Sequence, residues 1–352
     1  MLGQTCAAQR RGPESVWLLL PDNSAPAMTR PENHDRAGIL CEHRLTGDRA
    51  AAPAKLYLRM QMRPQRISLV VSTYNWPAAL DLVFASVAHQ TLPPAQVVVA
   101  DDGSGPATAS VVDAWRTRLN CEVLHLWQDD SGYRLARARN LAIAAASGDY
   151  IVSVDGDMIL HPRFIEDHAR CAQPDCFIQG ARPRLSLPMT ERLLRNGYAG
   201  PTMLSPGLER RMYALRSELL SRLTSKTSAT LNGVQGCNQS FWRKHIIQVN
   251  GYDERFTAWG PEDREFAARL LHIGLKRQYV RHRAIAFHLH HQSRAPDSYN
   301  PFDRLLAETL LTRAVWCKHG IDSHLATAAT RRTGHVTERH DAPSRNQDIL
   351  TR

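Results

Sequence analysis

ISLVVSTYNWPAALDLVFASVAHQTLPPAQVVVAD, residues 67–101, is the stretch on which the fold class turns. Two continuous apolar runs, ISLVVST (67–73) and QVVVAD (96–101), enclose a segment in which Leu80, Val83, Phe84 and Val87 recur at three- and four-residue steps. Continuous runs suit strands covered on both faces, whereas the middle spacing suits an amphipathic helix whose first turn tolerates Pro77. Strand, helix, strand in this order is the repeating unit of a parallel α/β sheet.

Working outward, the pattern continues with a helix over 107–119, a strand CEVLHL (121–126), an Arg-bearing helix over 134–146 and a strand DYIVSVD (149–155). This is a nucleotide-binding type of half. After Pro188 the alternation lapses, and 190–230 reads as polar helical segments with an Arg-rich face. Order returns at GCNQSFW (236–242), followed by a helix over 261–274, strands near 277–288 and an amphipathic helix over 302–319. Residues 1–62, broken by five prolines and without periodicity, are expected to be a poorly ordered extension, with Met60 or Met62 as an alternative start. Residues 323–352 are expected to be a disordered tail.

The 352 residues are 43% hydrophobic and 22% charged, which is globular composition and excludes a collagen, a coiled coil or a wholly disordered chain. The longest apolar runs, such as LVV at 69–71 and AIAAA at 142–146, fall far short of the ~20 residues a spanning helix needs. A net charge of +10 suits phosphate ligands, nucleic acid or an anionic membrane face without choosing among them. Seven cysteines lie scattered with no CxxC pair, which fits a reducing compartment and no zinc site. A cytoplasmic protein is expected, with peripheral contact at the inner membrane face left open.

Chemistry concentrates at strand ends. VVVA runs into Asp101 and Asp102, and IVSVDGDMIL places Asp155 and Asp157 two apart around Gly156. Residues i and i+2 of an extended segment point to one side, so both carboxylates can approach one hard cation and the diphosphate it carries. Arg134, Arg137, Arg139 and Asn140 open the intervening helix, where a solvated face competes with phosphate binding. Glu262 and Asp263 occupy a first helical turn directly after Trp259 and Gly260; helix-dipole capping would explain acids there, but an aromatic beside carboxylates is also the composition of a sugar site. AFHLHHQ supplies His288, His290 and His291, one of which can complete a metal site. Neither GxGxxG nor GxxxxGK occurs, so a nicotinamide enzyme and a P-loop NTPase are not supported.

STYNW, ADDGS, RARN, VDGD and NGYDERFTAWGPEDREFAARL, in this order over about 67–291, together resemble an inverting family 2 glycosyltransferase. The last stretch is similar to the galactosyltransferase-type C-terminal motif of bacterial chondroitin polymerase domains, with Pro261 where that motif carries glycine. The resemblance implies an α/β GT-A type nucleotide-diphospho-sugar transferase, a Rossmann-like and mostly parallel central sheet flanked by helices. It implies a domain over 63–322, divided into a nucleotide-sugar half (67–180), a variable helical insertion (181–232) and an acceptor half with the final helix (233–322). It implies that Thr73, Tyr74, Asp102, Arg139 and Asp155 bind the donor nucleotide, that Asp157 and His288 hold Mn²⁺ or Mg²⁺, that Trp259 and Glu262 bind the acceptor, and that Asp263 is the base. The implied reaction moves a hexose or N-acetylhexosamine from a UDP-sugar to a saccharide or lipid-linked glycan, for bacterial surface polysaccharide or lipopolysaccharide. Rival readings are a nucleotidyltransferase, disfavoured for want of an early glycine-rich activation loop, and a basic nucleic-acid-binding protein, for which 181–222 is the candidate surface. No nucleic-acid partner is expected.

Overall fold

The computed structural model describes residues 63–292 and 300–333; the expected N-terminal extension and residues 334–352 lie outside the described residues. In chain order the first half contains β1 (Ile67–Thr73), α1 (Pro77–Ala88), β2 (Gln96–Asp101), α2 (Pro106–Arg116), β3 (Glu122–Trp127), α3 (Leu135–Ala145) and β4 (Tyr150–Asp155). β5 (Met158–Leu160), α4 (Phe164–Cys171), β6 (Cys176–Gln179), β7 (Arg184–Leu185), α5 (Leu187–Asn196), β8 (Leu208–Glu209), α6 (Glu218–Thr224) and β9 (Lys226–Ser228) follow. The remainder is β10 (Asn238–Trp242), α7 (Arg243–Gln248), α8 (Glu262–His272), β11 (Lys276–Tyr279), β12 (Ala286–His288), α9 (Asp303–Thr312) and α10 (Asp322–Thr333).

The larger sheet has the order β3-β2-β1-β4-β10-β6-β11-β9, mostly parallel with β10 and β9 reversed, and helices flank it as expected. Every residue of β1 and β2 is buried, which is what unbroken apolar runs require. Successive side chains point to opposite faces, so Leu69, Val71, Val97 and Val99 pack with Leu80, Val83 and Phe84 of α1. Val70, Val98 and Ala100 pack the other way, with Ala136, Ala138 and Ala142 of α3. The small side chains of α3 let that helix lie close to the sheet while it carries Arg139 and Asn140 into the interior. A smaller sheet, β5-β12-β7-β8, sits beside the end of β4 and pairs His288 with Met158.

Three expectations are corrected. The segment 181–232 is not purely helical: β7, β8 and β9 lie in it beside α5 and α6, and strands of two or three residues are too short to carry a periodicity. The helix expected to reach residue 319 ends at Thr312, where Arg313 takes a left-handed conformation (φ 50°). Beyond it, the expected disordered tail begins with α10, which packs on α3. Among the anchors of α10, Ile321 is fully buried, and Asn250 and Asp322 exchange a reciprocal pair of hydrogen bonds, each 2.9 Å. Ile321→Ala is therefore expected to cost about 2–5 kcal/mol of stability in urea titration. A loss under about 0.5 kcal/mol, as at an ordinary surface site, would refute the packing of this end.

Candidate active site

The chain builds β1, β2 and β3 toward one side and then crosses to place β4 on the other side of β1, the switch point at which open α/β sheets hold ligands. Register levels Thr73 with Asp101 and Ser72 with Asp155 at the carboxyl ends of these strands. A cleft of about 560 Å³ opens there. Of the residues expected from sequence, Thr73, Tyr74, Asp102, Asp155, Asp157 and Trp259 line it. Trp76, Tyr133 and His291 line it as well without having been assigned roles. Gly156 presses the DGD turn onto β1, donating its N–H to the Ser72 carbonyl at 2.6 Å. A Cβ at Gly156 would stand 2.8 Å from that same oxygen, so any larger residue would push the two carboxylates away.

Asp157 meets His288 and His291. Its Oδ2 lies 3.4 Å from His288 Nε2 and 3.3 Å from His291 Nε2, and ligand atoms of all three lie within 4.8 Å of one another. Pairing of β12 with β5 causes this meeting, together with the Leu289 N–H that donates to the Asp157 carbonyl at 3.0 Å. Asp157 Oδ1 is buried without a hydrogen-bond partner. Burial pushes His288 down to about 4, which leaves a neutral imidazole with a lone pair to give. An orphaned carboxylate oxygen and two imidazoles form a donor set that fits a divalent cation such as Mn²⁺. The His cluster signalled the site in the sequence, but spacing alone did not distinguish His291 from its neighbours.

At the opposite end of the cleft the exposed Tyr74 donates its hydroxyl to Asp130 at 3.1 Å. Asp102 accepts from the Arg134 N–H at 2.8 Å and from Gln128 Nε2 at 2.5 Å, and its carboxyl is raised, by burial first. Arg137 bonds Gln128 at 2.6 Å, so it braces this wall. The Trp259 ring is half exposed on the other lip, and its carbonyl accepts from Asn300 at 2.9 Å.

Arg139, Glu262 and Asp263 cluster with Asp155 and are not among the residues lining the cleft, although 23% of the Asp263 side chain is accessible. The fully buried Arg139 guanidinium donates to Asp263 at 2.8 Å, Asp155 at 3.1 Å and Glu262 at 3.4 Å, and it lies over the Tyr252 ring at 5.3 Å. Burial opposes the guanidinium charge, but the surrounding carboxylates outweigh it and hold the group raised. Glu262 is pushed up to about 8, chiefly by burial and next by Asp263. Its Oε2 is orphaned, and its Oε1 accepts from Tyr133 at 3.4 Å. Asp155, a third of whose side chain faces the cleft, is pushed up to about 6 by desolvation, with Arg139 pulling the other way. Asp263 Oδ2 accepts the Gly236 N–H at 2.9 Å, and a side chain on Gly236 would collide with that carboxylate.

Residues 68–224 match the model described as glycosyl transferase family 2. The chain carries a family 2 glycosyltransferase domain. Residues 222–292 match a second model, described as the N-terminal domain of galactosyltransferase. Chondroitin synthase of Escherichia coli is 27% identical over 273 residues, which is 72% of this chain and 38% of that protein. Validoxylamine A glucosyltransferase of Streptomyces hygroscopicus subsp. limoneus is 31% identical over 222 residues, 58% of this chain and 47% of that protein. The chain thus spans less than half the length of either relative. Among solved structures, S. aureus TarS 1–349 in complex with UDP-GlcNAc is 20% identical, with a TM-score of 0.49 over 76% of this chain and 72% of that one.

The boundary between the two matches divides the site. The family 2 domain supplies Thr73, Tyr74, Asp102, Arg139, Asp155 and Asp157, and the second match supplies Trp259, Glu262, Asp263, His288 and His291. Arg139 ties the two together through Asp155 and Asp263. Arg139→Leu leaves buried carboxylates without their cation, and a cost of about 3–5 kcal/mol is expected from urea titration. Unchanged stability would refute the guanidinium as the joint between the two segments.

Proposed function

We propose that the chain transfers a hexose or N-acetylhexosamine from a UDP-sugar to a saccharide hydroxyl with inversion, in the synthesis of a bacterial surface polysaccharide or lipopolysaccharide. The observation that carries this reading is the cleft at the switch point, where Asp155, Asp157 and His291 line one cavity with Tyr74 and Asp102, and His288 meets Asp157 at its edge. A nucleotide fits that span with its base between Thr73, Tyr74 and Asp102 and its diphosphate over the DGD turn. Asp157, His288 and His291 would hold Mn²⁺ or Mg²⁺, which neutralises charge on a departing diphosphate.

The protein's own groups do the rest. Asp155 orients the ribose, and Arg139 acts on the donor end through the Asp155 carboxylate it binds. Trp259 offers an exposed ring to the apolar face of an acceptor sugar. Glu262 is assigned to the acceptor through Tyr133, whose hydroxyl it receives. Asp263 takes the proton of the acceptor hydroxyl as that oxygen attacks the anomeric carbon. Incubation with a panel of UDP-sugars and Mn²⁺ is expected to release UDP by slow donor hydrolysis from one of them. Absence of release from every donor, with the chain folded, would reject the transferase reading.

A further inference from the structure

A second cavity, of about 360 Å³, opens at the carboxyl ends of β6 and β11 and shares no lining residue with the cleft. Arg182, Arg184, Arg210 and Arg277 line it, with Gln179 and Tyr279 at the strand ends. Glu209 is the one carboxylate in its wall, opposite Arg184 in the β7–β8 ladder. Among the described residues, none of these four guanidinium groups makes an ion pair, that with Glu209 included. Arg277 is the most telling: only 7% exposed, it donates to neutral oxygens, the Asn232 carbonyl at 2.7 Å and Gln179 Oε1 at 3.4 Å. Its Nε has no partner. A buried guanidinium without a counter-ion is costly, so its retention in a cavity wall calls for an anion.

The cavity adjoins the proposed chemistry. Gly233 and Gln235 line it, and the next residue, Gly236, donates its N–H to Asp263. Arg184 is the register partner of His288. We propose that this cavity is an acceptor subsite for an oxyanion, gripping a phosphate or carboxylate of an acidic glycan while a neighbouring hydroxyl of the same glycan meets Asp263. The inference rests on the transferase reading above and adds the acidic character of the acceptor to it. Guanidinium forks match both oxyanions. A concavity walled by Gln179, Arg277 and Tyr279 favours one anionic group over the extended basic stripe that nucleic acid follows.

Calorimetry on the full chain, with UDP and Mg²⁺ saturating so that the donor cleft is filled, tests it with sodium phosphate, sodium glucuronate, N-acetylglucosamine and a single-stranded oligothymidylate. Saturable binding of phosphate or of glucuronate is expected, and the tighter of the two identifies the source of the oxyanion. Arg277→Gln and the exposed Arg210→Gln, which spares the interior, should each weaken that binding at least ~10-fold, the scale of one charge-assisted hydrogen bond. N-acetylglucosamine should be indifferent to both substitutions. Undiminished anion affinity in both variants overturns the subsite, as does oligothymidylate binding tighter than either acid and lost in the same variants. UDP is titrated first: if UDP binds but neither acid does, this inference alone fails, and if UDP does not bind, the donor reading fails and takes the subsite with it.

Discussion

UDP binding is expected to disappear when divalent cation is removed with EDTA and to return when Mn²⁺ is restored. A diphosphate brought to the DGD turn meets Asp155 and Asp157, and without a cation these carboxylates repel it. Among the described residues no Lys or Arg lines the cleft, and Arg139 is buried with three carboxylate partners around it. Asp157→Ala should weaken UDP binding in Mn²⁺ beyond the roughly 10- to 100-fold that loss of an outer-shell partner costs, because it removes a direct ligand. His288→Ala and His291→Ala should do likewise. The melting temperature of metal-free Asp157→Ala should stay near that of the parent, since Asp157 Oδ1 has no partner to lose and the Oδ2 contacts to His288 and His291 are long, at 3.4 and 3.3 Å. Equal UDP affinity in EDTA and Mn²⁺ would remove the metal from the reaction. A large fall in melting temperature without metal would make Asp157 a structural residue.

The sequence was most legible where burial on both faces leaves an unbroken apolar run. β1 and β2 match the expected limits, and the acids expected at their ends and at the end of β4 lie at the carboxyl edge of the sheet. The site was less legible where partners come from distant parts of the chain. Arg139 meets Asp155, Glu262 and Asp263 only because the tertiary fold brings the end of β4 and the start of α8 to its guanidinium, and no local spacing distinguishes that hub from a phosphate-binding fork. Asn140 is similar: it clips the Tyr252 backbone at 2.8 Å from both sides, a structural role that an Asn after three arginines does not announce. His291 reaches Asp157 because the segment after β12 continues past the DGD turn, which requires the smaller sheet to be known. Short strands and the end of α9 escaped because two- and three-residue elements are decided by their neighbours, not by their own pattern.

Asp263→Asn is expected to cut sugar transfer by at least ~100-fold, the usual scale of general-base catalysis, while UDP affinity stays close to that of the parent. The choice between Asp263 and its neighbour rests on exposure and protonation. Asp263 keeps 23% of its side chain accessible, against 5% for Glu262, and a base must reach the acceptor hydroxyl. Glu262, pushed up to about 8 by burial, carries its proton at neutral pH and suits hydrogen bonding better than proton removal. Asparagine preserves the shape, but its single oxygen can accept from the Gly236 N–H or from Arg139 and not from both, so retained UDP binding is the check that the chain has folded. Glu262→Gln should chiefly raise the acceptor KM, because it preserves size and removes only a carboxyl that is already protonated. If Asp263→Asn transfers at a near-normal rate and Glu262→Gln does not, the two roles are exchanged. If both transfer normally, the base lies elsewhere, and the second matched segment contributes packing around Arg139 instead of chemistry.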